Sequence, residues 1–90
     1  MFSLSGKTIV VTGGGRGIGR GISLAVARCG ADVVLSGRSM ETLSATQVEL
    51  QKLGVQAHAV AADVTRAEDI ERIVAETQHR FGVIDGWVNN

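Results

Sequence analysis

Residues 8–19 read TIVVTGGGRGIG, an apolar run that passes directly into a cluster of glycines. The run Thr8–Val11 lacks alternation of polar and apolar residues, which is typical of a strand buried on both faces of a parallel sheet. From Ile18 to Cys29 the apolar residues follow helical spacing, and Gly30 supplies a left-handed helix stop. The pattern therefore predicts a strand, a glycine loop and a helix, in that order.

The middle of the chain repeats the succession of strand and helix. Val33–Leu35 predicts a second strand that reaches a turn at Ser36–Arg38, after which Ser39 can cap a helix that ends at Gly54. Val55–Ala62 predicts a third strand, and its polar interior residues favour a position at the edge of the sheet.

The last part of the chain predicts a third helix and a fourth strand. Thr65 and Glu68 have the spacing of a capping box, and a helical apolar stripe continues to a stop at Gly82. Val83-Ile84 and Trp87-Val88 are predicted to begin the fourth strand. Strands joined through helices must run parallel. The sequence thus predicts an α/β fold, a Rossmann-type doubly wound parallel sheet with strand order 3-2-1-4.

The glycine loop after the first strand has the chemistry of a pyrophosphate cradle. Glycine permits close approach of the main chain to a ligand, and the unpaired amides at the following helix start attract phosphate. No lysine lies between Lys7 and Lys52, which excludes a P-loop, and the G-x-G-x-x-G spacing is absent from the loop. The alternative interpretation is that Gly13–Gly15 form only a flexible turn. The position of the loop between a buried strand and a helix favours binding.

The spacing within the loop is Thr-Gly, three residues, Gly, one residue, Gly, at Thr12, Gly13, Gly17 and Gly19. This spacing resembles the cofactor motif of the classical short-chain dehydrogenase/reductases. The resemblance covers essentially all 90 residues.

Two further motifs carry the same resemblance. Asp63-Val64, after the third predicted strand, resembles the family's adenine-binding Asp, and Asn89-Asn90 resembles the start of its Asn-Asn-Ala-Gly segment. The alternatives are a helix-entry carboxylate at Asp63 and a solvated turn at the two asparagines. The residues predicted to bind cofactor are Thr12, Gly13, Gly15, Arg16, Gly17, Ile18, Gly19, Ser36, Arg38, Asp63, Val64 and Asn89.

The charges near the second strand indicate which dinucleotide is bound. An acidic residue after this strand would accept hydrogen bonds from the adenosine ribose, whereas a cation accommodates a 2′-phosphate. Here Ser36-Gly37 takes the place of the acid and Arg38 follows, while Arg16 in the glycine loop can approach the same phosphate. The sequence predicts NADP(H), and NAD(H) remains the alternative if both arginines are only solvated surface cations.

Composition excludes other classes of partner. Hydrophobic residues make up 44% of the chain, as in globular proteins, and nine Lys and Arg balance nine Asp and Glu. No overall field therefore favours nucleic acid or an anionic membrane surface. No apolar run is long enough to cross a bilayer, so we expect a cytoplasmic location. The single Cys29 is expected to be a packing residue, and no metal site is predicted.

The resemblance implies an NAD(P)-dependent oxidoreductase that transfers hydride between the nicotinamide and a small carbonyl or alcohol substrate, as a homo-oligomer when complete. The family's catalytic Tyr and Lys lie beyond the segment matched here, and the chain has no Tyr. His58 and His79 are poor substitutes, so no catalytic residue is assigned. Residues 1–90 are expected to be the truncated amino-terminal part of one Rossmann domain. The alternative is a complete, non-catalytic nucleotide-binding or interaction module.

Overall fold

The computed structural model describes residues 2–90, within which four strands alternate with three helices. In chain order the elements are β1 (Thr8–Thr12), α1 (Gly17–Arg28), β2 (Asp32–Gly37), α2 (Met40–Lys52), β3 (Ala57–Ala61), α3 (Ala67–Phe81) and β4 (Gly86–Val88). Every strand pair is parallel, and the order across the sheet is β3-β2-β1-β4. The predicted α/β fold and strand order 3-2-1-4 are confirmed.

The two central strands carry the uninterrupted apolar runs Ile9–Val11 and Val33–Leu35, because the sheet has a helix layer on both sides. On one face Val33 and Leu35 pack in a core cluster with Leu43 and Leu50 of α2. On the other face Val34 belongs to a cluster that includes Ile73 of α3. Burial of a leucine side chain of this kind contributes about 2 kcal/mol. Since both faces are covered, alternation of polar and apolar residues is absent from β1 and β2.

The β2 strand is longer than predicted. Ser36 and Gly37 continue the strand, because Ser36 lies in register between Thr12 of β1 and Val60 of β3. The predicted turn at Ser36–Arg38 was therefore placed too early in the chain. Ser36 has no exposed surface, and its hydroxyl has no hydrogen-bond partner among residues 2–90.

The two outer strands also refine the predictions. The predicted position of β3 at a sheet edge is confirmed, and the polar His58 on it contacts Glu76 of α3 at 2.9 Å. The β4 strand begins only at Gly86, so Val83-Ile84 lie outside it. Asp85 explains this start, because its carboxylate accepts a hydrogen bond from the Thr8 N–H (2.8 Å) and its own N–H donates to the Thr8 carbonyl (2.9 Å).

The predicted capping box at Thr65 and Glu68 was wrong. The N-cap of α3 is Arg66, and its side chain makes no cap hydrogen bond. The Thr65 hydroxyl instead donates to the Asp63 carboxylate at 2.6 Å, and the Glu68 carboxylate pairs with the Arg66 side chain. Thr65 therefore belongs to the turn at Asp63, and the helix begins after Arg66, one residue later than the capping box requires.

The other predicted helix ends are confirmed. Ser39 caps α2 by accepting a hydrogen bond from the Thr42 N–H at 3.3 Å. The predicted stops Gly30, Gly54 and Gly82 all adopt positive φ. None of the helices described in residues 2–90 combines the length and the apolar character that crossing a bilayer requires.

Candidate functional site

A cleft with a volume of ≈ 490 Å³ opens at the carboxyl ends of the strands. This volume lies in the range of small-molecule sites, and the carboxyl edge of a parallel sheet is where α/β proteins bind ligands. The cleft is lined by Gly13, Gly15, Arg16, Gly37, Arg38, Ser39, Thr42, Leu43, Ala62, Asp63, Val64 and Asn90. Its walls therefore come from the glycine loop, the start of α2, the loop after β3 and the residues after β4.

The glycine loop folds tightly onto the start of α1. Its Gly14 N–H donates to the Ser36 carbonyl at 3.1 Å, and the Thr46 hydroxyl of α2 donates to the Gly15 carbonyl at 2.8 Å. A Cβ on Gly19 would collide with the carbonyl oxygen of Gly13, which itself has a φ of 65°. Glycine at these two positions lets the loop turn back against the helix with its main chain bare.

The amino terminus of α1 carries unsatisfied positive potential. Its N-cap Arg16 makes no side-chain cap hydrogen bond, and its first turn contains no acidic residue. The first amides of a helix have no intrahelical acceptor, and the helix dipole adds to their positive field. Ile18 in this turn is 74% exposed, so the turn is open to solvent. The arrangement fits a phosphate or diphosphate group.

Opposite charges form an ion pair in the cleft wall. The Arg38 guanidinium lies 3.6 Å from Oδ1 of Asp63. Hydrogen bonds from the Thr65 hydroxyl and N–H, assisted by the Arg38 charge, lower the pKa of Asp63 below its ordinary value. Asp63 is therefore ionised at neutral pH. The Arg38 side chain is 78% exposed, so solvent weakens its pairing with Asp63 and its guanidinium can also contact an anion in the cleft.

Thr12 ties the end of β1 to the residues that follow β4. Its hydroxyl lies 3.1 Å from Oδ1 of Asn89 and 3.3 Å from the Val88 carbonyl, and it accepts a hydrogen bond from the Asn90 N–H at 3.0 Å. Thr12 is only 1% exposed. The side-chain amide of Asn90 donates a hydrogen bond to the Gly13 carbonyl at 3.4 Å. Thr12 thus braces the glycine loop from beneath rather than lining the cleft.

The structure brings half of the predicted site residues into the cleft wall. The predicted residues that line it are Gly13, Gly15, Arg16, Arg38, Asp63 and Val64. The predicted residues that do not line it are Thr12, Gly17, Ile18, Gly19, Ser36 and Asn89. In the first turn of α1, Gly17 and Ile18 are exposed and Gly19 is buried against Gly13, whereas Ser36 is buried within the sheet.

Several cleft residues lie outside the predicted set. They are Gly37, Ser39, Thr42, Leu43, Ala62 and Asn90. A signal for Ser39 and Thr42 was present in the sequence, because a capped helix start that directly follows a parallel strand must lie at the carboxyl edge of the sheet. The contact between Thr46 and the Gly15 carbonyl spans 31 residues and has no local sequence signal.

Comparison with known proteins identifies relatives along nearly the whole chain. The short chain dehydrogenase family profile matches residues 7–90. The chain is 44% identical over 88 residues to a hydroxynaphthalene reductase of Aspergillus fumigatus, covering 97% of this chain and 32% of the relative.

Solved structures give the same result. L-sorbose reductase of Gluconobacter frateurii, complexed with NADPH and L-sorbose, superposes with a TM-score of 0.95 at 37% identity over 99% of this chain and 34% of that one. NAD+-bound xylitol dehydrogenase superposes with a TM-score of 0.89 at 31% identity over 92% of this chain and 32% of that one. The chain spans about a third of the length of the relatives it matches. By sequence and by fold, it belongs to the short-chain dehydrogenase family of oxidoreductases.

Proposed function

We propose that the chain binds NADP(H) in preference to NAD(H), as the cofactor-binding part of an enzyme that transfers hydride between the nicotinamide and a carbonyl or alcohol substrate. The observation that carries this proposal is the pair Arg16 and Arg38, which lines one cleft together with the glycine loop. Two cations beside an uncapped helix start form a strongly anion-selective wall, because guanidinium binds phosphate through paired hydrogen bonds.

The proposed roles follow from the position of each group. The amides at the start of α1 would hold the diphosphate, and the bare main chain around Gly13 would allow its close approach. Arg38 and Arg16 would hold the 2′-phosphate. Ionised Asp63 would accept a hydrogen bond from the adenine amino group, opposite Arg38. Each role uses a group that is exposed in the cleft or at its edge.

The cofactor would supply the hydride, and the residues of this chain would bind and orient it. Proton transfer to or from the substrate oxygen needs an acid/base group, and we propose that none of these 90 residues provides it. The family's catalytic Tyr has no counterpart in a chain without Tyr, and His58 is engaged with Glu76 on the β3 edge. By analogy with the sorbose and hydroxynaphthalene reductases, the substrate would be a small carbonyl or alcohol.

A calorimetric titration with NADPH and NADH tests the proposal. We expect NADPH to bind at least about tenfold more tightly, since hydrogen bonds to charged groups contribute about 1.5–3 kcal/mol each. Arg38→Asp should abolish most of that preference by weakening NADPH binding, and Arg16→Ala should weaken it to a smaller extent. Arg28→Ala, at the far end of α1, is the matched control and should change neither affinity.

Two outcomes would contradict the proposal. Equal or tighter binding of NADH would overturn the NADP(H) preference while leaving dinucleotide binding intact. Absence of binding to either dinucleotide would overturn the proposal that this chain forms a cofactor site.

A further inference from the structure

The loop that carries Asp63 is held in place from α3. The Asp63 N–H donates to Oδ2 of Asp69 at 2.7 Å, and Arg72 donates to the Ala61 carbonyl at 2.6 Å. The Ala62 N–H completes the attachment by donating to the Gly37 carbonyl at 2.8 Å. These three bonds connect successive residues of the loop to groups outside it.

The other hydrogen bonds of Asp63 are internal to the loop and cannot fix its position. The Thr65 hydroxyl and N–H donate to the Asp63 side chain, and the Arg66 N–H donates to the Asp63 carbonyl. These groups would move together with the loop if it shifted. The placement of the Asp63 carboxylate relative to the sheet therefore depends on the bonds made by Asp69 and Arg72, together with the Ala62–Gly37 bond and the exposed Arg38 ion pair.

Asp69 is itself fixed by its surroundings. Its side chain is 22% exposed, and Oδ1 lies 3.7 Å from the Arg72 guanidinium. Arg72 also pairs with Glu76 one turn later, at 3.6 Å. One guanidinium thus links the end of β3 to two carboxylates of α3, an arrangement that its planar fork of donors permits.

The direction of Asp69 is unusual for its place in the helix. A carboxylate at the third helical position ordinarily reaches back to the N–H of the N-cap residue. Asp69 occupies that position in α3 but accepts its hydrogen bond from Asp63, three residues before the N-cap Arg66. Its carboxylate holds the cleft-lining loop rather than the end of its own helix.

We propose that Asp69 and Arg72 are positioning residues for the carboxylate that recognises adenine, an inference that rests on the proposed function. They hold the backbone at Ala61 and Asp63, so that the Asp63 side chain stays in the cleft wall opposite Arg38. Neither residue lines the cleft.

The test compares NADPH with deamino-NADPH, in which an oxygen replaces the adenine amino group. The unsubstituted protein is expected to bind NADPH roughly tenfold more tightly, because the analogue lacks the donor that a charged acceptor requires. Asp69→Ala should reduce this ratio to about twofold or less, by releasing the Asp63 N–H. Arg72→Met should give an intermediate ratio, because Asp69 keeps its hydrogen bond but loses its partner cation.

Two variants serve as controls. Asp69→Asn keeps an oxygen that can accept from the Asp63 N–H, so it should restore most of the ratio. Glu68→Ala removes a neighbouring acid of the same helical turn that pairs only with the exposed Arg66 side chain, and it should leave the ratio unchanged. A general loss of folding would weaken both ligands equally and would not alter the ratio.

The outcomes separate the inference from the proposed function. A tenfold ratio in the unsubstituted protein that persists in Asp69→Ala would overturn the positioning role alone. A ratio near one in the unsubstituted protein, or no binding of NADPH, would overturn the proposed adenine contact of Asp63 and the inference with it.

Discussion

The amino termini of α1 and α3 both point toward the carboxyl edge of the sheet, but only α3 has acidic residues that offset the positive potential of its terminus. The first turn of α3 contains Glu68 and Asp69, whereas the first turn of α1 contains no acid and its N-cap Arg16 makes no side-chain cap hydrogen bond. One helix end is neutralised by its own carboxylates. The other is left bare beside a glycine loop, which costs helix stability and fits the binding of an anion.

The difference indicates that a helix terminus stays available to an anion when the sequence places no acid in its first turn. Acids near the start of a helix stabilise it by about 0.3–1 kcal/mol each. The α3 helix uses one of its two acids, Asp69, to hold the loop at Asp63. The α1 helix forgoes the same stabilisation, so its amides remain available to a ligand.

The largest expected effect comes from adding a Cβ atom at Gly19, where the first turn of α1 packs against the glycine loop. In Gly19→Ala the new Cβ would collide with the Gly13 carbonyl, so we expect the free energy of unfolding to fall by about 3 kcal/mol. Gly21→Ala is the matched control in the same helix, where a Cβ would meet no atom within 4 Å. It should raise the free energy of unfolding by about 0.5–1 kcal/mol. Urea denaturation measures both, and equal effects would contradict the packing of the glycine loop.

The second prediction gives α1 the acid that α3 has. Ile18→Glu places a carboxylate in the first turn of α1 at a side chain that is 74% exposed. We expect the helix to gain about 0.5 kcal/mol of stability while NADPH affinity falls about tenfold, because the carboxylate repels the diphosphate. Ile18→Gln is the neutral control. Calorimetric titration measures the NADPH affinity of both variants. Equal affinities of Ile18→Glu and Ile18→Gln would contradict the proposed role of the α1 terminus in binding the diphosphate.

The third prediction concerns two hydroxyls in register beneath the α1 terminus. Thr12 uses its hydroxyl to bind the residues after β4, whereas the Ser36 hydroxyl has no partner among residues 2–90. Ser36→Ala should therefore raise the free energy of unfolding by about 1 kcal/mol, and Thr12→Val should lower it by about 1–2 kcal/mol. Thermal and urea unfolding provide the measurement. Destabilisation by Ser36→Ala would mean that the hydroxyl has a bonding partner.

The smallest effect is expected on the α3 side and depends on pH. The hydrogen bond from His58, assisted by Arg72, lowers the pKa of Glu76 below its ordinary value of 4.5. A carboxylate with a lowered folded-state pKa stabilises the fold above its unfolded pKa, and the contribution disappears as pH falls through the folded-state value. Since the Glu76 side chain is 39% exposed, solvent screening keeps this contribution below about 0.5 kcal/mol.

Glu76→Gln should consequently destabilise the protein slightly at neutral pH and have no effect in acid below the lowered pKa. Glu71→Gln, at an exposed position of the same helix, is the control. Urea denaturation across the acid range provides the measurement. A Glu76→Gln deficit that stayed constant throughout that range would show that the side chain acts through packing rather than charge.

The fold was predictable because its main determinants are local. The uninterrupted apolar runs of β1 and β2, the glycine after each helix and the parallel connections leave few topologies, and the strand order follows from them. The position of the cleft was predictable for the same reason, since the carboxyl edge of such a sheet is fixed by its topology.

What could not be predicted depends on competition between side chains that meet only in the folded chain. Thr65 has the spacing of a cap, but it forms a turn with the Asp63 carboxylate and the helix begins after Arg66. Serine is common in turns, but Ser36 pairs with Thr12 of β1 and Val60 of β3 and so lies within the sheet. Asp69 resembles an ordinary first-turn acid, and only the folded backbone brings it to the Asp63 N–H.

We propose that the bare terminus of α1 binds the diphosphate of the cofactor. Nuclear magnetic resonance of the backbone amides during NADPH titration tests it directly, because each amide of the two helix ends is observed separately. We expect large shifts for the amides of Gly17, Ile18 and Gly19, with much smaller changes at Ala67–Asp69. Binding of NADPH that left the three α1 amides unshifted would contradict it.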